Sequence, residues 1–309
     1  MKAVQMDSYG GPEVLQYRDA PDPVAGPGEI VVDIHAASVN PVDWKVRDGL
    51  RKDSAPVSFP HILGRDFSGV VRDAGPDVDA FSPGDDVFAV TDQGQEGAYA
   101  EAIAIKAALA AKKPAGLSHA EAAALALIGL TALVALEDVA KLASGETVLI
   151  HAGAGGVGGF AVQYARHMGA RVFATASARN RDYVLGLGAD EVIDYTSQDF
   201  TQAVPPCDVV FDTLGGEVHG RSFSVLRPGG RLVHIAAAPA GFVPPRGDVT
   251  VVRPNVARDR LHLERIVELF ETGAIRPPEI EHMPLDAAAA AQEHSKTGHV
   301  RGKIVLDVR

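Results

Sequence analysis

Thr147-Val148-Leu149-Ile150-His151-Ala152-Gly153-Ala154-Gly155-Gly156-Val157-Gly158 is the stretch whose reading decides the fold. A short apolar run, Thr147–Ala152, leads into Gly153, Gly155 and Gly158 at the spacing G-x-G-x-x-G. Phe160–Met168 follows at helical spacing, with Ala161, Tyr164, Ala165 and Met168 on one face, and Gly169 is placed to end that helix. A second strand is expected at Arg171–Ala176. The glycine pattern alone is a weak signal, but between a strand and a helix it predicts a dinucleotide-binding turn. Gly153 then permits the tight turn, Gly155 lets backbone approach a pyrophosphate, and Gly158 lets helix and strand pack closely. The unpaired N–H groups and dipole of the helix N-terminus favour the anion, with Ala154, Gly156 and Val157 completing the cradle. A glycine-rich turn with no ligand is the alternative.

Outward from this turn, strands and helices alternate after residue 117. Ser118 with Glu121 three residues on forms a capping box that opens an Ala-rich helix. Further strands are predicted at Glu191–Asp194, Asp208–Thr213 and Arg231–Ala236, the last introduced by the turn Arg227-Pro228-Gly229-Gly230. This rhythm argues for a doubly wound parallel sheet with helices on both faces. An amphipathic helix, Asp259–Thr272, is stopped by Gly273 and followed by Pro277-Pro278. Residues 237–258 read as a loop or flap.

Before residue 115 the texture is all-β. Candidate strands are Lys2–Met6, Val14–Tyr17, Glu29–Ala37, Gly69–Asp73, Asp86–Val90 and Tyr99–Ile105, separated by Pro/Gly turns. The tail from Ile280 returns to short strand-like runs ending in Lys303-Ile304-Val305-Leu306, which are expected to rejoin the N-terminal β region.

Composition narrows the classes of function. The 309 residues suggest about two domains, and 46% hydrophobic with 22% charged residues is ordinary for a globular chain. A net charge of -11 with no basic run argues against nucleic acid as a partner. A single cysteine, Cys207, forms no intrachain disulfide and points to a reducing compartment. Met1-Lys2-Ala3-Val4 opens no signal-peptide core, and the longest uncharged apolar stretch, 122–136, is short for a bilayer span. The expectation is a cytoplasmic protein without a membrane partner.

The end of the second strand bears on which nucleotide is held. An NAD site usually places an acidic residue there to grip the ribose 2′-hydroxyl. This chain has Ser177, Arg179 and Arg181, and no carboxylate until Asp182. Arginine pairs with phosphate, so NADPH is predicted; two solvated surface charges are the alternative reading of the arginines.

Several segments together resemble the medium-chain dehydrogenase/reductase superfamily, in its zinc-free, zeta-crystallin-like quinone oxidoreductase branch. They are Ala37-Ser38-Val39-Asn40-Pro41-Val42-Asp43-Trp44-Lys45-Val46-Arg47-Asp48-Gly49, Gly64-Arg65-Asp66-Phe67-Ser68-Gly69-Val70, Gly129-Leu130-Thr131-Ala132, the glycine loop, and Gly298-His299-Val300-Arg301-Gly302-Lys303-Ile304-Val305-Leu306. The resemblance implies a GroES-like β-barrel catalytic domain, 1–112 and 273–309, around an inserted Rossmann NADP-binding domain, 113–272, and it carries over a homodimer. Zinc-dependent relatives have Cys where this chain has Asn40, and Gly-His-Glu where it has Gly64-Arg65-Asp66. Arg65 ligates no metal, because its guanidinium stays protonated, so no metal is expected.

The resemblance further implies an acceptor that takes hydride readily, a quinone or an α,β-unsaturated carbonyl (enone). Asn40 is the expected carbonyl donor, with a local backbone contact as its alternative. Asp43 and Arg47, four apart, are expected to form an orienting ion pair, structural or catalytic. Thr131 is placed near the nicotinamide or buried in its helix. Tyr195 is placed near the adenosine 2′-phosphate, or packs. Leu214, in Thr213-Leu214-Gly215-Gly216, and Ile235-Ala236 are placed toward the cofactor. His61 and His151 are left without a chemical role. A zinc-type alcohol dehydrogenase and a non-catalytic NADPH-binding protein are the competing functions.

Overall fold

The structure, a computed structural model, describes residues 1–309. It divides into two units: Met1–Leu127 with Arg258–Glu271 and Pro277–Arg309, and Ile128–Ala257 with Thr272–Arg276. The first begins with strands β1 (Lys2–Met6) and β2 (Gln16–Asp19), then β3 (Glu29–Ser38), helix α1 (Pro41–Arg47), β4 (His61–Ile62), β5 (Asp66–Ala74), β6 (Asp86–Val90), β7 (Ala102–Lys106) and β8 (Ala110–Lys112). β1 pairs antiparallel with β2 and β4. β3 is central to the larger sheet: it pairs with β5, setting Val32 opposite Val71, and with β7, setting Ile30 opposite Ile105. Its alternating residues Ile30, Val32 and Ile34 are fully enclosed with Phe67, Val87 and Leu306. Each such side chain contributes about 1.5–3 kcal/mol by leaving water.

Helix α2 (His119–Leu133) opens on the predicted capping box: Ser118 N and Oγ donate to Glu121 Oε2 at 2.8 Å each, and Glu121 N donates back to Ser118 Oγ at 3.2 Å. With the wider turn that continues it, the span His119–Val139 is long and apolar enough to cross a membrane by length and composition alone. It lies 78% buried over its most apolar window, as a core helix does.

The second unit holds β9 (Thr147–Ile150), α3 (Gly156–His167), β10 (Arg171–Ala176), α4 (Arg181–Gly186), β11 (Glu191–Asp194), α5 (Phe200–Ala203), β12 (Cys207–Asp212), α6 (Gly216–Arg221), β13 (Leu226–His234) and β14 (Thr250–Val252). All six strands run parallel in the order β11-β10-β9-β12-β13-β14. The order reverses between β9 and β12, and ligands of doubly wound sheets bind at the carboxyl ends beside such a reversal.

The chain then returns to the first unit with α7 (Arg260–Glu271), β15 (Ile280–Pro284), α8 (Ala288–Lys296) and β16 (Lys303–Asp307). β16 pairs with β3, Leu306 opposite Ala37, so the tail rejoins the N-terminal sheet as expected.

Four sequence expectations change. Helix α7 groups with the first unit rather than the inserted one, and so does the start of α2; Arg260 in α7 donates to Ala107 O and Ala110 O at 2.7 and 3.0 Å. The Ala-rich run 288–296 is a helix, not strand-like. Val14 belongs to a 3-10 turn, and the strand there starts at Gln16. Residues 250–252 add an edge strand inside the segment read as a loop.

The expected Asp43–Arg47 ion pair does not form. Arg47, with no exposed side-chain surface, turns to α8: Nη1 donates to Gln292 Oε1 at 3.2 Å, and Nη2 to Glu293 Oε1 at 2.6 Å and Asp48 Oδ1 at 2.7 Å. The four-residue spacing puts Asp43 and Arg47 on one face of α1, but that face is buried and each side chain finds a different neighbour. Arg47→Leu leaves the buried Gln292 Oε1 without its donor, while Asp48 keeps Lys296 at 2.6 Å and Glu293 faces water; it should lower unfolding free energy by about 1–3 kcal/mol in urea melts, and a loss under about 0.5 kcal/mol would show the contacts to be dispensable.

Candidate cofactor site and the buried polar cluster

The glycine loop is a cradle built by close approach. Gly158, in the first turn of α3, sits so near β9's end that a Cβ there would lie 2.2 Å from Ala152 O. Ala152 itself adopts φ +54°, rare for a residue with a side chain, and its neighbours hold it there. Its N–H donates to Thr175 Oγ1 at 3.1 Å, while Gly153 N–H donates to Thr175 O at 2.9 Å.

His151 braces the same turn from below. Its Nδ1 meets Thr175 Oγ1 at 3.2 Å and its Nε2 meets Ser222 Oγ at 3.1 Å. Ser222 donates its own proton to Val218 O at 2.7 Å, so it accepts from His151, which fixes the Nε2–H tautomer. Burial pulls the imidazole down to about 4, so it stays neutral. His151 is a support for the loop, and His61, bonded to Glu96 at 2.8 Å, is likewise satisfied.

The predicted cofactor residues collect along the carboxyl edge of the parallel sheet. Gly153, Ala154, Gly155, Gly156, Val157 and Gly158 follow β9; Ser177 follows β10, with Arg179 and Arg181 exposed in the next turn. Tyr195, 55% exposed, follows β11, and its N–H donates to Ala176 O at 3.3 Å, which sets it beside Ser177. Leu214, 52% exposed, follows β12; Leu214 and Gly215 donate their N–H groups to Asp212 Oδ1 at 2.9 and 2.8 Å. Ile235 and Ala236 follow β13, Ile235 donating to Asp212 O at 3.1 Å. Gly215 has φ +72°, and a Cβ there would lie 2.4 Å from Ala237 O. Thr131 is buried within α2.

Sequence reasoning missed one acid at this edge. Asp194 ends β11 and accepts from Thr196 N and Oγ1 and from Ser197 Oγ, at 2.8–3.1 Å. Hydrogen bonds from Thr196 lead in holding it below the usual carboxylate range. Only strand pairing brings it level with Ala176, eighteen residues earlier in the chain.

The first unit carries a separate cluster of buried charges. Asn40, 5% exposed, is wedged between an anion and a cation: Nδ2 donates to Asp66 Oδ1 at 2.6 Å, and Oδ1 accepts from Lys303 Nζ at 2.8 Å. Asp66 Oδ2 also accepts from Ser38 Oγ at 2.7 Å, and Lys303 also donates to Val39 O at 2.7 Å. Burial pushes Asp66 up and Lys303 down, each toward its neutral form; the charge of Lys303 and the bonds from Ser38 and Asn40 oppose the first shift, and the charges of Asp66 and Asp43 oppose the second. The remaining Asn40 proton faces Ser38 O at 3.4 Å. The orientation of the amide is thus fixed by the two buried charges it bonds, Asp66 and Lys303.

Asp43 has no exposed surface, accepts from Asn40 N at 2.8 Å and from Tyr99 Oη at 2.7 Å, and keeps Oδ1 without a partner. Burial first, then the charge of Glu96, pushes it up to about 7. Asp43 and Arg47 both lie fully buried, each bonded to a different neighbour.

Two family models match, one described as an alcohol dehydrogenase GroES-like domain over residues 26–115 and one as a zinc-binding dehydrogenase over 187–306. A chloroplast envelope quinone oxidoreductase homolog of Arabidopsis thaliana is 34% identical over 323 residues, covering 99% of this chain and 98% of the relative. The chain belongs to the medium-chain dehydrogenase/reductase superfamily, in its zinc-independent quinone oxidoreductase branch. A 2-methylene-furan-3-one reductase of Solanum lycopersicum is 34% identical, with 99% of this chain and 79% of that protein covered. The Escherichia coli quinone oxidoreductase complexed with NADPH superposes with a TM-score of 0.90 at 29% identity over 100% of both chains. Family membership makes the protein an oxidoreductase that uses a nicotinamide nucleotide, and the cradle fits that group.

Zinc, which one of the matching models is named for, does not fit. Asn40 and Asp66 are spent on each other and on Ser38 and Lys303, and Arg65 donates to Glu96 at 2.6 Å. No group of three His, Cys, Asp or Glu side chains is placed to hold a metal ion, and the Lys303 ammonium opposes a dication.

Two measurements check this site. Gly158→Val should weaken nicotinamide-nucleotide binding at least tenfold by calorimetry, because the new side chain forces α3 off β9; unchanged affinity would remove the cradle. Asp43 supplies a pH test. A folded-state acid raised to about 7 keeps its proton while the unfolded chain loses it near pH 4, so stability falls as pH rises between these values. Asp43→Asn should thus gain on the wild type between about pH 5 and 7, by at most roughly 1.4 kcal/mol per pH unit in urea melts; a gap that narrows with rising pH would contradict the assignment.

Proposed function

We propose that this protein is an NADPH-dependent reductase of quinones or α,β-unsaturated carbonyls. The observation that carries the proposal is the placement of Ser177, Arg179, Arg181 and Tyr195 beside the glycine cradle, at the carboxyl ends of β10 and β11. A 2′-phosphate there meets a hydroxyl and two guanidinium groups. Asp194, at the end of β11, already accepts from Thr196 and Ser197.

When bound, the reduced nicotinamide supplies a hydride. The protein holds its phosphates on the N–H groups of the α3 turn and its adenosine end on the arginines. Without a metal-ligating set, the acceptor must spread its own developing charge. In an enone the β-carbon takes the hydride and the charge passes to the carbonyl oxygen. A proton from water then gives the saturated carbonyl, leaving oxidised nucleotide. The likeness to quinone oxidoreductases and to a 2-methylene-furan-3-one reductase supports acceptors of this kind. A homodimer and a cytoplasmic location belong to the same reading; light scattering on the purified protein tests the first.

The assay is NADPH oxidation with a panel of quinones and enones. NADPH should exceed NADH at least tenfold in kcat/KM, and Arg179→Ala with Arg181→Ala should bring the ratio close to one. A wild-type ratio near one would remove the 2′-phosphate assignment, and a protein that binds NADPH but reduces nothing in the panel would be a binding protein instead.

A further inference from the structure

We infer that Arg65 and Arg258 form a subsite for a carboxylate carried by the electron acceptor, an inference that rests on the reductase reading above. Both residues lie in the first unit and meet at Thr91. Thr91 N–H donates to Arg65 O at 2.7 Å, and Thr91 O accepts from Arg258 Nη1 at 2.8 Å. Arg258 Nη1 also donates to Asp92 O at 2.6 Å.

The charges around this point do not balance. Glu96, its side chain 3% exposed, is the acid of the cluster, and both its oxygens are taken. Oε1 accepts from Arg65 Nε and Nη2 at 3.1 and 2.6 Å, and Oε2 meets His61 Nε2 at 2.8 Å. Asp92 turns outward to Lys106 at 2.7 Å. Asp66, next along the chain from Arg65, is matched by Lys303 through Asn40. Arg258 is left with two backbone carbonyls and no carboxylate, and its buried Nε–H has no acceptor. A guanidinium half withdrawn from water without a counter-ion is costly, and the like charge of a second one adds repulsion. Burial first, then the like charge of Arg65, pulls Arg258 down to about 10, in agreement with that geometry.

One unit of positive charge therefore awaits an anion. Arg65 and His61 keep 13% and 14% of their side-chain surface, and Arg258 is half-buried, so the cluster opens to solvent. A carboxylate suits it: two oxygens in a plane accept from a guanidinium edge, which a neutral quinone or ketone does not. The substrate class becomes an enone or quinone that also bears an acid group.

The test compares 4-oxopent-2-enoate with its methyl ester as acceptors for NADPH, in the wild type and in Arg258→Met. The acid-to-ester ratio of kcat/KM should fall at least tenfold in the variant, mostly through a higher KM for the acid. NADPH affinity by calorimetry should stay within about twofold. An unchanged ratio overturns the inference. So does a variant that loses NADPH affinity, since the anion would then be the cofactor's phosphate. If the wild type reduces neither these two acceptors nor any other quinone or enone, the reductase reading itself has failed.

Discussion

The contact between the backbone of Gly158 and Ala152 O is the constraint on which the second unit depends. Only a residue without Cβ lets the first turn of α3 rest on the end of β9. That contact directs the free N–H groups of the helix toward the crevice where the strand order reverses. The cost is a residue with a side chain, Ala152, in the left-handed region. Thr175 and His151, each tied to the loop by hydrogen bonds, hold it there. The neutral imidazole of His151 belongs to the same support, since a charged ring would have no buried counter-ion on either nitrogen.

The first unit shows a different economy of charge. Asp66, Asn40 and Lys303 form a line in which a neutral amide separates a carboxylate from an ammonium and bonds to both. Buried ions are tolerated when every polar atom has a partner, and here nearly every one does. Arg47 follows the same rule with Gln292 and Glu293. Arg258 departs from it, with two backbone carbonyls as its acceptors and no carboxylate.

Much of the fold was legible in the sequence because its signals are local. The G-x-G-x-x-G turn, the capping box at Ser118 and the stop at Gly169 each follow from residues within a few positions of one another, and all three appear. What stayed hidden depends on contacts far apart in the chain. Asn40 looked like a free donor, because nothing near it announces Lys303, 263 residues away. Arg47 looked like a partner for Asp43, because Glu293 lies 246 residues downstream. Asp194 became a neighbour of Ser177 only through the pairing of β10 with β11. Helix 288–296 was obscured by a run of alanines too plain to show an amphipathic face.

In the proposed reaction a hydride moves from a bound, reduced, phosphorylated nicotinamide nucleotide directly to carbon or oxygen of an electron-poor acceptor. NADPH deuterated at nicotinamide C4, given with an enone, tests it by mass and NMR analysis of the product. Deuterium at the β-carbon from one C4 face only, with solvent hydrogen at the α-carbon, is the predicted result. A reduced product whose β-hydrogen comes from solvent would contradict the account.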